Sequence, residues 1–452
     1  MKKRYFSFST SRIIMLSFLL AILAGSLLLS LPISSASGKA VPYIDALFTA
    51  TTATCVTGLV TLPTVSTWSV FGQIVILLLI QIGGLGIITI MSGIMIALQR
   101  KMGLSDRLLI QDAFNLNSLS GLVQFVKKVI FGTFIIEGAG ALVSMTVFVP
   151  DFGIKGIWIS IFHSVSAFCN AGIDIFAEDS LCQYATNPII NFVTVALIIL
   201  GGIGYIVWWD VIRVCKKFRV RGFKCFRHLT LHSKIALSMT AILLLVGTAA
   251  IFLFERQNPL TLREYGLFDQ LQISFFQSVT TRTAGFASLP QQNLSNPSAI
   301  VSLLLMFIGG SPVGTAGGIK TVTLAILAAS AVSTVKNRNE VSLFHRNISK
   351  QALSKAIAVV GMSFSILTVS TLLLSAVTEA SMLDILYETV SATATVGLTR
   401  NLTSSLDFWG KLIVIANMYL GRVGPISLAI AFSFRKENQN MIKNPTEEIS
   451  VG

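Results

Sequence analysis

The sequence predicts an all-α integral membrane fold with eight transmembrane helices and four re-entrant half-helices. We expect them to form four parallel membrane–pore-loop–membrane repeats around a pseudo-fourfold pore. The first of three observations behind this prediction is composition: 53% of the 452 residues are hydrophobic and 12% are charged, whereas a soluble domain has about 25% charged residues. The other two are a glycine-centred segment that recurs four times and a clustering of basic residues between the recurrences.

The transmembrane helices are predicted from apolar stretches, since a helix that crosses a bilayer needs roughly 20 mostly apolar residues. Such stretches fall near residues 13–33, 69–98, 122–149, 188–212, 233–254, 298–335, 352–377 and 408–434. The first follows Lys2, Lys3 and Arg4, as in a secretory signal peptide. No clear small-residue cleavage pattern comes after it, so we expect a retained span.

Each pair of apolar stretches flanks a short mixed segment that ends in a glycine loop. The glycines are Gly58, Gly172, Gly285 and Gly397, at intervals of 114, 113 and 112 residues. A near-constant period indicates a repeated architecture. The short segments lie near 42–54, 156–168, 266–281 and 381–393. They are too short and too polar to cross the bilayer, so we expect each to enter the membrane and return.

Basic residues decide how the units are oriented. Lys and Arg number 4 in residues 1–12, 5 in 100–128, 8 in 213–234, 5 in 336–355 and 3 in 435–443, which is 25 of the 34 in the chain. All of these runs lie at the ends of units. Since cytoplasmic loops carry the excess of Lys and Arg, the units are predicted to be parallel, with both termini cytoplasmic.

The predicted domain organisation follows from these units. Repeat 1 covers residues 1–100, repeat 2 covers 101–228, repeat 3 covers 229–345 and repeat 4 covers 346–435, with a cytosolic tail at 436–452. The outer loops carry more acidic than basic residues, and this sign favours a cation over an anion. The acidic residues are Asp45, Asp151, Asp174, Glu178, Asp179, Glu255, Glu264, Asp269, Glu379, Asp384, Glu388 and Asp407.

The glycine loops are candidate ion ligands. Non-helical backbone at membrane depth is tolerated where it is buried in protein or lines water, and glycine permits positive φ and close backbone approach. Four such loops would direct rings of main-chain carbonyls at one axis, where the oxygens replace the hydration shell of an ion. The predicted ligands are the carbonyls of Val56, Thr57, Gly58, Asn170, Ala171, Gly172, Thr283, Ala284, Gly285, Thr395, Val396 and Gly397.

The run FIGGSPVGTAGGIKT (307–321) predicts a broken helix in the third unit. Glycine and proline are poor in a helix interior, and an unwound stretch beneath the glycine loops would line the cavity. A Pro-kinked, closely packed helix is the alternative. The candidate gate residues are Gly309, Gly310, Ser311, Gly314, Thr315, Gly317, Gly318 and Lys320.

Arg422 is a second candidate control point, because it lies about midway between Lys411 and Arg435 on the last span. A fixed cation beside a cation pathway would oppose passage. Two alternatives are an ion pair with Glu137 or Asp210 and snorkelling toward the interface. Arg282, in the third glycine loop, is predicted to form a structural hydrogen bond between loops.

Several function classes are excluded or disfavoured. The five cysteines and four histidines show no disulfide or zinc spacing. The runs QIGGLG and GGIG lie inside apolar spans without a preceding strand, so helix packing is favoured over nucleotide binding, and we expect no cofactor on this chain. The basic runs are short and lack interleaved aromatic residues, so they indicate contact with anionic lipid rather than nucleic acid.

The motifs resemble the membrane subunit of the bacterial Ktr/Trk potassium uptake systems, in the superfamily that includes plant HKT transporters. They are LPIS (31–34), DALFTA (45–50), QIGGLG (81–86), FHSVSAFCNAG (162–172), GGIG (201–204), TRTAGF (281–286), GIKT (318–321), TVGLT (395–399) and GRVGP (421–425). The resemblance covers essentially the whole chain. Cys55 and Cys169 are departures, and we expect their side chains to point away from the ion.

The resemblance implies a potassium filter, a gate at 309–318 and a pore narrowed below the filter by Arg422. Glycine rather than serine at position 58 implies potassium rather than sodium permeation. The resemblance also implies a homodimer in the bacterial plasma membrane, with a cytosolic ring of nucleotide-binding (RCK-type) regulatory subunits. Uptake would then be driven by the membrane potential.

Two rival functions remain. A sodium- or proton-coupled symporter should show inverted repeats and midplane ionisable residues, and the parallel units disfavour that architecture, although coupling or sodium activation of the same pore stays open. A membrane-embedded enzyme would need convergent catalytic groups within the spans. Only Glu137 and Asp210 are candidates for those groups, so we expect no enzyme.

Overall fold

The structure is a computed structural model that describes residues 10–98, 103, 108, 121–216, 222–338 and 340–424. In this part of the chain, four helices are long and apolar enough to cross a membrane, and up to six spans are counted if each of two bent helix pairs is one span. The predicted C-terminal tail and residues 425–434 of the last predicted span lie outside the described residues.

The described helices repeat one pattern through four units: an outer helix, a short pore helix and an inner helix. The first unit contains α1 (Thr10–Leu29), α2 (Tyr43–Cys55), α3 (Thr64–Thr67), α4 (Val70–Leu85) and α5 (Ile87–Ala97). The second contains α6 (Leu122–Phe152), α7 (Lys155–Cys169), α8 (Pro188–Gly202) and α9 (Tyr205–Cys215). The third contains α10 (Leu231–Glu255), α11 (Leu267–Thr280), α12 (Asn296–Phe307) and α13 (Thr321–Val335). The fourth contains α14 (Lys350–Val377), α15 (Met382–Ala394) and α16 (Phe408–Val423).

Short elements connect these helices. Within the described residues, 3₁₀ turns lie at Pro32–Ser34, Cys182–Tyr184, Gly222–His228, Gln291–Asn293 and Thr403–Ser405. A two-stranded antiparallel hairpin of β1 (Ser342–Leu343) and β2 (Arg346–Asn347) joins the third and fourth units. The only strands in the described part of the chain thus lie between units.

The pore helices α2, α7, α11 and α15 are the four predicted re-entrant segments, and their bounds agree with the prediction to within one residue. Most residues of these helices are buried, although their sequences mix polar and apolar residues. Phe48, Phe162, Phe276 and Tyr387 stand at equivalent positions and are at most 1% exposed. The core is thus formed around the pore helices, while the outer helices expose many large apolar side chains, as expected for a surface that faces lipid.

The inner helices of the first three units are interrupted, whereas the sequence predicted a break in the third unit alone. Gly86 has φ +82° and separates α4 from α5 at 97°; Gly204 has φ +93° and separates α8 from α9 at 100°. A residue at such φ ends an α-helix, and glycine adopts it without the steric cost of a Cβ. In the third unit the break is longer and runs from Ile308 to Lys320.

The predicted close packing of the glycine pairs is confirmed beside these breaks. A Cβ on Gly83 would lie 1.9 Å from the carbonyl oxygen of Thr54, and a Cβ on Gly201 would lie 1.9 Å from that of Phe168. Inner and pore helices therefore touch through their backbones. The same contact recurs in the fourth unit, where a Cβ on Gly421 would lie 2.1 Å from the carbonyl oxygen of Thr393.

Candidate ion pathway

The four glycine loops share one backbone conformation. A residue with positive φ follows each pore helix, and these residues are Val56 (55°), Asn170 (59°), Thr283 (72°) and Thr395 (52°). Two positions later the glycines again have positive φ, at 96°, 63°, 85° and 100°. The residue between each such pair does not have positive φ. This alternation turns successive carbonyls toward one side, and positive φ at β-branched residues is an uncommon, strained state.

A hydroxyl residue on each pore helix holds the loop, and the sequence analysis missed it. Thr52 Oγ1 accepts from the Gly58 N–H at 3.0 Å, and Ser391 Oγ accepts from the Gly397 N–H at 3.0 Å. Ser166 Oγ accepts from the Ile173 N–H at 3.1 Å and donates to its carbonyl. In the third unit, Thr280 Oγ1 donates to Phe286 O at 2.6 Å. A Ser or Thr five or six residues before each loop glycine was the available signal.

Main-chain bonds also direct the loop N–H groups back to the pore helices. The N–H groups of Thr57, Ala171, Ala284 and Val396 donate to pore-helix carbonyls at 2.8–2.9 Å. Among the described residues, none donates a hydrogen bond to the carbonyls of these four residues. The loops are thus arranged to use their donors internally.

The structure brings the four loops to one place. A Cβ on Gly58 would lie 2.5 Å from the carbonyl oxygen of Ala171, which precedes the glycine of the next unit. The same relation continues cyclically: Gly172 meets Ala284 O at 2.5 Å, Gly285 meets Val396 O at 2.6 Å and Gly397 meets Thr57 O at 2.2 Å. The four glycines therefore form a closed ring in which any side chain would strike a neighbour's carbonyl.

The surroundings of this ring favour positive charge. Four pore helices end immediately before the loops, at Cys55, Cys169, Thr280 and Ala394, and a helix C-terminus carries partial negative charge. Both cysteine side chains are buried away from the ring. The Cys169 thiol lies 3.5 Å from Gln81 Oε1, and Cys55 packs in an apolar cluster with Phe48 and Leu59.

The broken segment of the third unit, residues 308–320, lies against the break in the second unit. The Ser311 N–H donates to Gly202 O at 2.8 Å and the Thr315 N–H to Gly201 O at 3.1 Å. In return, the Tyr205 N–H donates to Val313 O at 2.9 Å. These bonds satisfy backbone groups that the interrupted helices leave unpaired, as membrane depth requires.

The same segment also contacts the ends of three pore helices. Thr315 Oγ1 donates to Phe168 O at 3.1 Å, and the Gly317 N–H donates to Thr283 Oγ1 at 3.2 Å. Gly317 also packs so tightly on Thr395 that a Cβ would lie 2.0 Å from its hydroxyl. The Ser311 and Thr321 hydroxyls, at 2.9 Å, close the base of the segment. The predicted gate residues thus lie directly beside the glycine loops.

Arg422 joins this segment to the first unit. Its guanidinium donates to Thr315 O and to Gly83 O, both at 2.6 Å. The alternative pairings are therefore wrong: Glu137 accepts from Gln81 Nε2 at 3.1 and 3.2 Å, and Asp210 is bonded to Arg213 and Thr230. Backbone carbonyls rather than a carboxylate hold the arginine.

Two further cations contact the broken segment. Lys320 Nζ donates to Ala316 O at 2.6 Å, which folds the side chain back over the segment. Arg282 donates to Gly309 O at 3.3 Å and so joins the third glycine loop to the start of the break. The predicted structural role of Arg282 between loops is confirmed.

Some of the acidic residues predicted to lie on the outer side form structural pairs. Lys411 donates to Asp45 at 2.6 Å and Arg400 to Asp384 at 2.7 Å. Glu388 is fully buried and accepts from the Thr399 hydroxyl at 2.6 Å. These carboxylates position the pore helices and loops.

Comparison with known proteins gives the family of this arrangement. The sequence profile of the TrkH family, described as cation transport protein, matches residues 7–444. The chain belongs to the TrkH family. Within the wider Trk/Ktr/HKT superfamily, it is 40% identical to the potassium/sodium uptake protein NtpJ of Enterococcus hirae, over 100% of this chain and 99% of that protein. It is 39% identical to Ktr system potassium uptake protein B of Bacillus subtilis, over 99% and 98%.

A solved structure gives the same fold for this TrkH-family chain. The potassium transporter TrkH from Vibrio parahaemolyticus superposes with a TM-score of 0.76 over 96% of this chain and 87% of that one, at 16% identity. The match supports the fold of four membrane–pore-loop–membrane units. The protein is therefore a multi-pass membrane protein of a cation transport family.

Proposed function

We propose that this protein takes up potassium across the bacterial plasma membrane through a selectivity filter built from main-chain carbonyls. The observation that carries the proposal is the closed ring of Gly58, Gly172, Gly285 and Gly397, in which each glycine faces the carbonyl that precedes the next. Two relatives named for potassium uptake, at 39% and 36% identity, support the choice of ion.

The filter would bind the ion through the carbonyls of the loop glycines and of the two residues before each. Carbonyl rings of this kind replace the hydration shell of potassium. The loop N–H groups are already bonded to the pore helices, so the free carbonyls are the groups left to face the ion. No resident cofactor is required for this chemistry, because potassium is the substrate.

We infer that residues 309–320 form the gate, with Arg422 as the constriction beside it. The segment contacts pore-helix ends and glycine loops of the second, third and fourth units, which supports a position where a passing ion would leave the filter. Its displacement would break the bonds to Gly201, Gly202 and Arg422. The Arg422 guanidinium also places a positive charge beside the path, which opposes a cation.

We also propose that the protein works as a homodimer and that a cytosolic ring of nucleotide-binding subunits binds to its cytoplasmic side. The unit ends and both termini would then be cytoplasmic, as the basic runs predict. Two relatives are named as proteins B and D of a Ktr system. Because these names describe components of a larger system, they support the proposal of a partner subunit.

The filter proposal is tested by rubidium uptake into bacteria that lack their own potassium uptake. Gly58→Ser adds a side chain at φ +96° that would strike Ala171 O, so we expect the preference for rubidium over sodium to fall. Gly38→Ser is the matched control, because Gly38 also has positive φ (+70°) but no atom lies within 4 Å of a Cβ there. Unchanged selectivity in Gly58→Ser would refute the filter assignment.

A second candidate function, cation symport, is favoured by one observation. Glu137 is 3% exposed within α6, and its carboxylate contacts Gln81 and lies 3.8 Å from the Cys169 thiol that ends a pore helix. Ionisable residues inside a membrane are expensive and often functional. A relative's name, potassium/sodium uptake protein, leaves room for a second ion.

Symport predicts that Glu137→Gln uncouples uptake. Rubidium accumulation in proteoliposomes would then stop responding to an imposed proton or sodium gradient, while Glu178→Gln, on an exposed outer loop, would leave the response intact. If the wild-type protein accumulates rubidium with the membrane potential alone and ignores both gradients, the symport alternative fails and the uniport proposal stands.

A further inference from the structure

An open groove lies between α5 and α6, far along the chain from the glycine loops. Its volume is about 520 Å³, within the roughly 300–1,000 Å³ of small-molecule sites. Gly93 and Ile96 form one wall, and Ile130, Phe131 and Phe134 form the other. The bend at Gly86 turns α5 away from the axis of α4 and thereby opens this space beside α6.

The groove walls are apolar and face outward. Phe131 is 69% exposed and Phe134 is 58% exposed. Exposed aromatic residues on a membrane helix contact hydrocarbon or another apolar surface, because the bilayer core contains no water. The occupant of this groove must therefore be largely apolar along most of its length.

One end of the groove is positively charged. Lys127 and Lys128 line it, and the Lys128 ammonium lies 5.4 Å from the centre of the Trp209 ring, a distance typical of a cation–π contact. Among the described residues, neither lysine has a carboxylate within ion-pairing distance. Two adjacent ammonium groups are thus available to a single anionic group.

The position of the lysines along α6 agrees with the depth of a lipid headgroup. The helix has 31 residues, which at 1.5 Å per residue is about 46 Å, longer than the ~30 Å hydrocarbon core. Its first turns therefore reach the interface. The two lysines lie only about 8 Å from the start of the helix, and the apolar wall extends roughly 10 Å further to Phe134.

We propose that this groove binds an anionic phospholipid. The phosphate contacts Lys127 and Lys128, and one acyl chain lies along Ile96, Ile130 and Phe134. A head that is anionic and a tail that is apolar match the two ends of the groove, and clusters of basic residues at the membrane surface attract anionic lipids. A second copy of this chain or a soluble partner would have to supply both features in the same narrow space.

Native mass spectrometry of the purified protein in detergent tests the proposal, with phosphatidylglycerol and phosphatidylcholine of identical chains as probes. We expect phosphatidylglycerol to bind in preference. The Lys127→Gln/Lys128→Gln variant should lose roughly tenfold or more of that affinity, from the removal of two surface lysines. Ile96→Trp, which fills the apolar part and keeps both lysines, should also lose the lipid.

The matched control is Lys350→Gln/Lys355→Gln, which removes two exposed lysines near the start of another long helix, α14, and should retain the wild-type affinity. Equal binding of the two lipids, or the same loss in the control, would overturn the site. If the Lys127→Gln/Lys128→Gln protein fails to fold, Ile96→Trp decides alone, and full phosphatidylglycerol affinity in that variant would also overturn it. A variant that changes the oligomeric state without changing lipid binding would assign the groove to a protein interface instead.

Discussion

At the scale of single residues, the glycine loops depend on backbone conformations that most side chains avoid. Val56, Thr283 and Thr395 are β-branched and have positive φ, which costs of order 1–3 kcal/mol per residue when the surroundings enforce it. The surroundings here are the hydroxyls of Thr52 and Ser391 and the pore-helix carbonyls. The loops are consequently preorganised, so ion binding at the proposed filter would not have to order them.

The sequence indicated the glycines but not what holds them. Their period of 112–114 residues and the flanking apolar stretches were sufficient to place Gly58, Gly172, Gly285 and Gly397 in equivalent loops. The hydroxyls could not be singled out from the sequence, because Ser and Thr are frequent on these segments. Their hydrogen bonds to the loop depend on the folded conformation of the chain. The sequence singled out Arg422, but its carbonyl partners belong to other units, so no nearby residues in the chain indicate them.

Asp174 gives a prediction at this scale. It follows the second loop glycine by two residues, and its burial raises its pKa to about 7; a hydrogen bond from Ser180 lowers the pKa and the charge of Asp179 raises it. A carboxyl group with this pKa is charged above about pH 7 and neutral below it. Because a negative charge attracts cations, its loss should raise the apparent KM for rubidium when the external pH falls from 8 to 6.

Asp174→Asn should remove most of this external pH dependence and hold the KM near its acidic value at all pH values. Glu264→Gln, which neutralises an exposed carboxylate elsewhere on the outer side, is the control and should keep the wild-type profile. The assignment fails if Asp174→Asn retains the full pH dependence.

At the scale of elements, the breaks in the inner helices form one connected structure. The interrupted helix ends each leave a carbonyl that accepts a hydrogen bond from elsewhere in the fold. Gly83 O accepts from Arg422, Gly201 O accepts from the Thr315 N–H, and Gly309 O accepts from Arg282. The broken segment of the third unit is thereby held to the second unit by main-chain bonds and to the fourth by an arginine. A shift of α9 would pull on this segment through Tyr205 and Val313.

The break in the third unit was predictable because five glycines and a proline interrupt the helix pattern there. The breaks at Gly86 and Gly204 were not predicted, because the runs GGLG and GGIG sit within strongly apolar segments where glycine usually serves packing. Packing does account for Gly83 and Gly201. An alignment of the units with one another would have indicated the breaks at Gly86 and Gly204. The runs GGLG (83–86), GGIG (201–204) and GRVG (421–424) occupy equivalent positions, and Arg422 stands where the other two units have glycine.

Arg422→Ala gives a prediction at the element scale. It removes two charge-assisted bonds, each worth about 1.5–3 kcal/mol, and a positive charge beside the path, so the rate of rubidium uptake should increase several-fold. A deletion within 309–318 should act in the same direction. Arg263→Ala, on the outer surface, is the control; an uptake rate in Arg422→Ala no higher than in this control would contradict the gate assignment.

At the scale of the whole molecule, four parallel units place four pore-helix C-termini and four glycine loops around one axis. The arrangement needs no coupling ion for inward movement of a cation, since a membrane potential of 100 mV supplies ~2.3 kcal/mol per charge. The cyclic order of the contacts, from each unit to the next and back from the fourth to the first, makes every unit necessary for the ring. Composition, period and charge placement were sufficient to predict this architecture, because they are properties of the whole chain rather than of any one contact.

The most direct test of the filter is to locate the ion. Crystals of the full chain, grown in rubidium or soaked with thallium, would give anomalous density at bound monovalent cations. We expect a peak on the axis of the glycine ring, coordinated by the carbonyls of Thr57, Ala171, Ala284 and Val396, and we expect it to disappear when sodium replaces rubidium. A peak held by side chains elsewhere, or a fully loaded crystal with no peak at these carbonyls, would contradict the proposed filter.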